Sequence, residues 1–363
     1  MIGRDPLRWY TRNAWYVAGF SKDLPVGKAM GLTILGQPLA IWRGADGMVR
    51  AFDDRCAHRL APLSKGRCEG NRLRCMYHGL LYEDDGSVSA VPGQTGIPPQ
   101  ARVRAYPACE HLDWIWVWMG EAADADHDLL PVPNGYNPKE FVFGYGQIDY
   151  AAEARLICDN LLDLSHVAFL HSASFQSEPE FADRLPLVSA VDRGVRVRRW
   201  IENTHGSSTR RSTAPVDAYQ TYDFLVPGIL LMWSANFPTG TAAKDSKEIL
   251  PLDSIDGLSL TLQAVTPMTD QSARYFFYSG PHCRDGDEAK RDAMMEMAAQ
   301  AFSEDREMIE AQQVLINIDP ARRIVPSAHD RATTIYSGIV RKLNATRFAV
   351  APCGSKEQND VDE

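Results

Sequence analysis

From about residue 13 to residue 135 the apolar residues come in short runs rich in Val, Ile, Trp and Tyr, broken by Gly, Pro and Asp. That pattern predicts strands. Leu39 to Trp42 lead into the turn Gly44-Ala45-Asp46-Gly47, and Val49 to Phe52 follow it. In Trp114-Ile115-Trp116-Val117-Trp118 the tryptophans alternate with Ile and Val, so a strand here is apolar on both faces and belongs in a core. Residues 121–140 turn acidic and then Pro/Asn/Gly-rich (EAADADHD, PVPNGYNP), as a linker would. Beyond it, strands mix with two helices, one expected over roughly 154–170 and one over roughly 286–317, entered through Arg284-Asp285-Gly286-Asp287. Met294, Met297, Ala298, Ala301, Phe302, Met308, Ile309 and Leu315 mark the apolar stripe of the second helix at 3/4 spacing.

This is an α+β pattern: an N-terminal all-β part, residues 1–135, then a part of residues 136–350 with an antiparallel sheet flanked by helices, helix-grip-like. Residues 351–363, ending GSKEQNDVDE, are expected to be a disordered tail. The 363 residues suit two domains, and 45% hydrophobic with 23% charged residues is the composition of a globular protein. A net charge of −9 argues against nucleic acid as a partner. The longest apolar stretch, Phe224 to Trp233, is broken by Pro227 and Gly228 and is too short to cross a membrane. Seven cysteines and no apolar leader favour a reducing, cytoplasmic setting over a disulfide scaffold.

Two constellations carry chemistry. Cys56-Ala57-His58 is followed after residues 59–74 by Cys75-Met76-Tyr77-His78. Each pair offers a thiolate and an imidazole to one centre, which fits a Cys₂His₂ zinc ion or a Rieske [2Fe–2S] cluster. Spacing alone leaves both open. Cys68, between the pairs, is read as packing.

The second constellation lies in Asp159-Asn160-Leu161-Leu162-Asp163-Leu164-Ser165-His166-Val167-Ala168-Phe169-Leu170-His171. Five residues turn an ideal helix about 140° past a full turn, so His166 and His171 reach one metal only if the helix ends or bulges between them. Asp163, three before His166, is expected to hold that imidazole in one tautomer. Asp305 falls within the apolar stripe of the later helix, where a carboxylate needs a partner or a metal. Glu304 points about 100° away and reads as solvated surface.

Cys56-Ala57-His58-Arg59 with Ala61-Pro62-Leu63, then Cys75-Met76-Tyr77-His78-Gly79-Leu80, resembles the signature of Rieske oxygenases, and Pro92-Gly93 resembles the loop covering their cluster. Asn160, Asp163, His166 and His171 match the family's mononuclear-iron motif, and Phe302-Ser303-Glu304-Asp305 resembles the context of its third ligand. Counted from Asn13-Ala14-Trp15-Tyr16-Val17-Ala18, the likeness spans nearly the whole chain, and it is nearest to monooxygenases similar to vanillate O-demethylase. It implies that Cys56, His58, Cys75 and His78 hold a [2Fe–2S] cluster. His166, His171 and Asp305 then hold Fe(II), with Asn160 beside it and Asp163 bridging to a cluster histidine of a neighbouring subunit.

The resemblance also implies a homotrimer, O₂ as co-substrate, and a separate flavin/iron–sulfur reductase fed by NAD(P)H. The lack of a strand-linked G-x-G-x-x-G agrees with an external reductase. The implied reaction is O-demethylation of a methoxylated aromatic acid, or else hydroxylation of a ring, ring substituent, N-methyl group or steroid. An electron carrier would leave the second part unexplained. Trp233 and Asn236 are candidate substrate contacts, and Arg210 and Arg211 candidate carboxylate partners. His111, His127, His205, His282 and His329 have no ligand-like neighbours.

Overall fold

The computed structural model describes residues 9–175, 180–206, 212–244 and 249–348. The expected acidic tail lies outside them, as do Arg210 and Arg211. The strands are β1 (Trp15–Phe20), β2 (Ala29–Ile34), β3 (Gln37–Arg43), β4 (Val49–Asp53), β5 (Arg67–Glu69), β6 (Arg72–Arg74), β7 (Leu81–Tyr82), β8 (Val88–Ala90), β9 (Ala105–Tyr106), β10 (Ala108–His111) and β11 (Trp114–Trp118). Then come β12 (Gly144–Tyr150), helices α1 (Ala154–Leu162) and α2 (Glu180–Asp183), β13 (Leu187–Val191), β14 (Gly194–Thr204), β15 (Val216–Leu225), β16 (Ile229–Pro238), β17 (Asp256–Thr269) and β18 (Ser272–Pro281). Helices α3 (Glu288–Ile318) and α4 (Arg331–Phe348) complete the order.

Two four-stranded sheets, β2-β3-β4-β9 and β5-β6-β7-β8, enclose a core built on Trp42, Phe52, Leu73 and Tyr82. The second large unit is a seven-stranded antiparallel sheet in the order β12-β18-β17-β16-β15-β14-β13. The three-stranded sheet β1-β11-β10 lies between them. Trp114, Trp116 and Trp118 pack with Trp233, Leu260 and Tyr278 of the large sheet. Ile115 and Val117 face the opposite way, into a core shared with Leu39, Ile41 and Phe302. Both faces of β11 are therefore buried. At about 1.5–3 kcal/mol for each fully buried large aliphatic or Phe side chain, this strand fastens the two halves together.

Residues 121–140 are more than a spacer. They form three single turns of 3-10 helix, and the Asp126 and Asn137 side chains cap two of them. Leu129, Leu130 and Tyr136 pack on the tryptophan core, and Trp15 Nε1 donates to the Asp126 carbonyl at 2.7 Å.

Alternation along β17 gives the large sheet its two faces. Leu258, Leu260, Leu262 and Ala264 enter the tryptophan core, while Ser259, Thr261 and Gln263 turn toward a cavity beneath α3. Helix α3 begins where Asp287 caps it, accepting from the Lys290 amide, and it packs on β12 and β18. Its buried positions include Met294, Ala298, Phe302, Asp305 and Ile309, but Met308 and Leu315 are exposed, contrary to the expected stripe. Past Ile309 polar contacts hold the helix instead: the Ala151 amide donates to Glu310, the Glu153 amide to Gln313 Oε1, and Asn317 Nδ2 to Gln271 Oε1. A helix absent from the sequence reading, α4, buries Ala332, Tyr336 and Val340 at a spacing of four.

Candidate metal centres and active site

Cys56 and Cys75 sit on two loops of matching construction. The Leu60 amide returns to the Cys56 carbonyl at 2.9 Å, and the Gly79 amide returns to the Cys75 carbonyl at 3.0 Å. Leu60 and Gly79 both have positive φ, 56° and 79°. A Cβ at residue 79 would lie 2.8 Å from Pro92 Cγ, so only glycine lets the covering loop come this close. Both cysteines are buried and both histidines exposed, with the His58 and His78 rings 4.5 Å apart. Tyr82 Oη lies 3.1 Å from Cys56 Sγ and accepts the Ala57 amide at 2.9 Å.

The four donors fit a two-iron cluster better than one ion. Among the described residues only His166, His171 and Asp305 bring three donor atoms within 4.8 Å of one another. The wider Cys/His cage would suit a [2Fe–2S] cluster, for which the two buried cysteines and the two exposed histidines would be the ligands. Were Cys56 to hold such a cluster, the Tyr82 hydroxyl would be a polar partner for its sulfur, the kind of contact that tunes reduction potential.

The second centre depends on where α1 stops. It ends at Leu162, and a 3-10 turn, Leu164–Ala168, carries His166. The helix expected over 154–170 is thus broken, which places the His166 and His171 rings 5.2 Å apart. His166 Nδ1 donates to the Asp163 carbonyl at 2.6 Å, and His171 Nδ1 donates to Glu304 Oε2 at 2.8 Å. Both Nε2 atoms are left to face Asp305 Oδ1, at 3.6 Å from His166 and 3.2 Å from His171. Asn160 Nδ2 donates to the same oxygen at 2.9 Å. Two imidazole nitrogens and a carboxylate converging at a buried point could share a cation, and this donor set is one that Fe(II) takes.

Two expectations are corrected here. The Asp163 carboxylate does not hold His166. It accepts the Ser165 amide at 2.9 Å, capping the 3-10 turn, and the residue's own carbonyl orients the imidazole. Nor is Glu304 free surface: besides His171 it accepts from Ser174 Oγ at 2.8 Å. Burial pulls the His171 imidazole down, but hydrogen bonds and charge from Asp305 and Glu304 outweigh it, so its pKa rises. For His166 burial prevails over Asp305 and the pKa falls.

A family model for the Rieske [2Fe-2S] domain matches residues 14–107, and one for the vanillate O-demethylase oxygenase C-terminal domain matches residues 150–346. This chain is a Rieske non-heme iron oxygenase. The iron–sulfur subunit of the toluene-4-sulfonate monooxygenase system of Comamonas testosteroni is 32% identical over 94% of this chain and all of its own. The oxygenase subunit of vanillate O-demethylase from a Pseudomonas strain is 31% identical, over 88% of this chain and 98% of its own. The crystal structure of dicamba monooxygenase bound to dicamba superposes with a TM-score of 0.79 at 30% identity, covering 93% of this chain and 98% of that one.

In this Rieske oxygenase His166, His171 and Asp305 open on a cavity of about 200 Å³. Phe175, Phe277, Met294 and Phe302 supply apolar walls, and Gln220, Asn236, Ser259, Thr261 and Gln263 form a polar floor. Of the two candidate substrate contacts, Asn236 lines the cavity, but Trp233 packs on Phe141 in the tryptophan core. Strand alternation separates them. No helix among the described residues is long and apolar enough to cross a membrane.

Glu304→Ala is expected to lower affinity for mononuclear iron and turnover together by about 10–100-fold, the usual cost of losing a ligand's outer partner. Glu304→Gln, which still offers His171 an acceptor, should recover part of the loss. Iron titration of cluster-loaded protein checks it, and an unchanged affinity would show that His171 needs no carboxylate.

Proposed function

We propose that this terminal oxygenase hydroxylates the methyl of a methoxyl group on a single-ring aromatic acid, so that the net reaction is O-demethylation. The observation that carries the reading is three converging donors at one end of an aromatic-walled cavity. Relatives named for O-demethylation of vanillate and of dicamba support it. The balance is ArOCH₃ + O₂ + 2e⁻ + 2H⁺ → ArOH + CH₂O + H₂O, the hydroxylated methyl leaving as formaldehyde when its hemiacetal collapses.

In this reading Cys56, His58, Cys75 and His78 hold the [2Fe–2S] cluster and His166, His171 and Asp305 hold Fe(II). Fe(II) held there would supply open positions for O₂ and, together with the cluster, the two electrons that the balance requires. The chain's own residues set the conditions. Asn160 restrains the Asp305 carboxylate, Glu304 and the Asp163 carbonyl fix the imidazole tautomers, and Phe277 and Phe302 keep water from the ring. The exposed edge formed by His58 and His78 is where electrons enter and leave. A flavin/iron–sulfur reductase oxidising NAD(P)H would supply them, and in a homotrimer Asp163 would lie between this chain's iron site and a neighbour's cluster histidine. Six cysteines among the described residues are unpaired, in keeping with a cytoplasmic protein.

A second reading, hydroxylation of a ring-borne methyl with no C–O cleavage, is favoured by the full-length match to the toluene-4-sulfonate monooxygenase subunit. One experiment separates them. Turnover with NADH, a surrogate reductase and a panel of methoxybenzoates and methylated aromatic sulfonates is expected to yield formaldehyde and phenol in equal amounts. A benzylic alcohol without formaldehyde would establish the second reading instead.

A further inference from the structure

We propose that Arg199 is a positioning residue for the substrate: it clamps the short helix α2 so that Phe181 closes one wall of the cavity, and the fit of the aromatic ring depends on that clamp. Arg199 itself does not line the cavity. The inference rests on reading the cavity as the substrate pocket, and on neither of the two reactions considered for it.

Helix α2, Glu180–Asp183, is a single turn, far below the length at which a helix holds itself together in water. Yet Phe181 is buried and lines the cavity, and α2 packs on the 3-10 turn Leu164–Ala168 that carries His166. Something outside the helix must hold it there. Arg199, in mid-β14, meets the requirement. Its Nη1 donates to the Phe181 carbonyl at 2.6 Å, and its guanidinium carbon lies 4.1 Å from the centre of the Phe181 ring. One side chain thus grips both the backbone and the ring of a single residue. The other tie between these segments, Arg184 to Glu202 at 3.8 Å, is exposed at both ends, and pairs of that kind contribute little.

The clamp is costly to keep. Arg199 is 6% exposed, and no carboxylate among the described residues lies within ion-pair distance of it. Burial therefore lowers its pKa, and the more distant Asp163 and Tyr222 offset only part of that. The strand does not need a charge at this position. Val195 and Val197, before it on the same face, belong to the apolar core, and Ile201 after it lines the cavity. A methionine would fill the place without the desolvation cost. What the guanidinium adds is its hold on Phe181.

The test uses cluster- and iron-loaded full-length protein: wild type, Arg199→Met, Arg199→Lys, Phe181→Ala, and the double variant of Arg199→Met with Phe181→Ala. In Arg199→Met, hydrogen exchange followed by mass spectrometry is expected to run at least about 10-fold faster at the amides of 181–184. Exchange in β15, β16 and β17 and the melting temperature should change little. Calorimetry with the methoxybenzoates and methylated aromatic sulfonates is expected to show about 10-fold weaker binding in Arg199→Met of the ring that wild type holds best. KM should rise by a similar factor, with a smaller change in kcat. Arg199→Lys, which keeps a donor and a cation over the ring, should recover part of the affinity. In the Phe181→Ala background, Arg199→Met should weaken binding little further, because the wall it holds is already gone.

Exchange at 181–184 that is equally fast in wild type and Arg199→Met overturns the clamp. So does faster exchange spread over the whole sheet with a lower melting temperature, which would make Arg199 a support of the fold at large. Faster local exchange with unchanged binding, or fully additive losses in the double variant, removes the role in substrate fit. Arg199-dependent binding without formaldehyde would leave the proposal standing and sink only O-demethylation. A wild-type protein that binds none of the rings defeats the pocket reading and the proposal together.

Discussion

Asp305→Ala is expected to leave the visible spectrum of the iron–sulfur cluster intact, to empty the mononuclear site and to end turnover. Asp305 is the shared point of the site: its Oδ1 lies 3.2 Å from His171 Nε2, 3.6 Å from His166 Nε2 and 2.9 Å from Asn160 Nδ2. Without the carboxylate, two neutral imidazoles remain, too few donors and no anion to hold a hard divalent ion. The loss should exceed about 100-fold, the upper end for a residue that merely orients a ligand. Iron content, the cluster spectrum and formaldehyde release, read on one preparation, check it. Because the cluster cage is built from residues 56–78, a folded variant should keep its cluster, which separates loss of a ligand from loss of fold. Retained activity would move the third ligand elsewhere, with Glu304 first to be examined.

His58→Ala is expected to abolish the cluster's absorbance and, with it, all reductase-driven turnover. His58 is exposed, its ring 4.5 Å from that of His78, and its removal leaves the outer iron with one imidazole. The loop itself does not depend on that side chain, since the Cys56 amide bonds to the Ala61 carbonyl and the Leu60 amide to the Cys56 carbonyl, each at 2.9 Å. Secondary structure by circular dichroism should therefore match wild type. An unchanged iron–sulfur spectrum would defeat the assignment of His58. Added Fe(II) should still bind at His166, His171 and Asp305, because that site takes no ligand from the cluster loops.

The cluster cage was legible because it is local. Each Cys and its His lie two or three residues apart on a tight loop, so the pairs convey nearly the whole donor set, and the choice between zinc and two irons rests on the likeness to the Rieske [2Fe-2S] domain. The iron site was legible in kind but not in detail. Asp305 stood out as a carboxylate among buried apolar positions, but Glu304 beside it was misread. A helical wheel assigns its flank to water, whereas residues 171–174 fold over that flank and place His171 and Ser174 against it. Asp163 was misread for a related reason. The i,i+3 rule assumes a continuous helix, and α1 ends at Leu162, which frees the carboxylate to cap the next turn.

Helix α4 repeats the lesson. Its buried Ala332, Tyr336 and Val340 are spaced for a helix, but Thr333, Thr334, Ser337 and Gly338 between them dilute the periodic signal.

By itself, then, the amino-acid sequence determined which chemistries this protein can host: two thiolates and two imidazoles in paired loops, two further imidazoles, a buried carboxylate and alternating strands to enclose them. Those are properties of residue types and short spacings. The tertiary structure alone decided which atoms meet. It turned both His Nε2 atoms toward one carboxylate oxygen and brought Glu304 to His171 across 133 positions. Contacts between distant segments depend on where helices stop and how sheets stack, and both are settled by packing the whole chain at once.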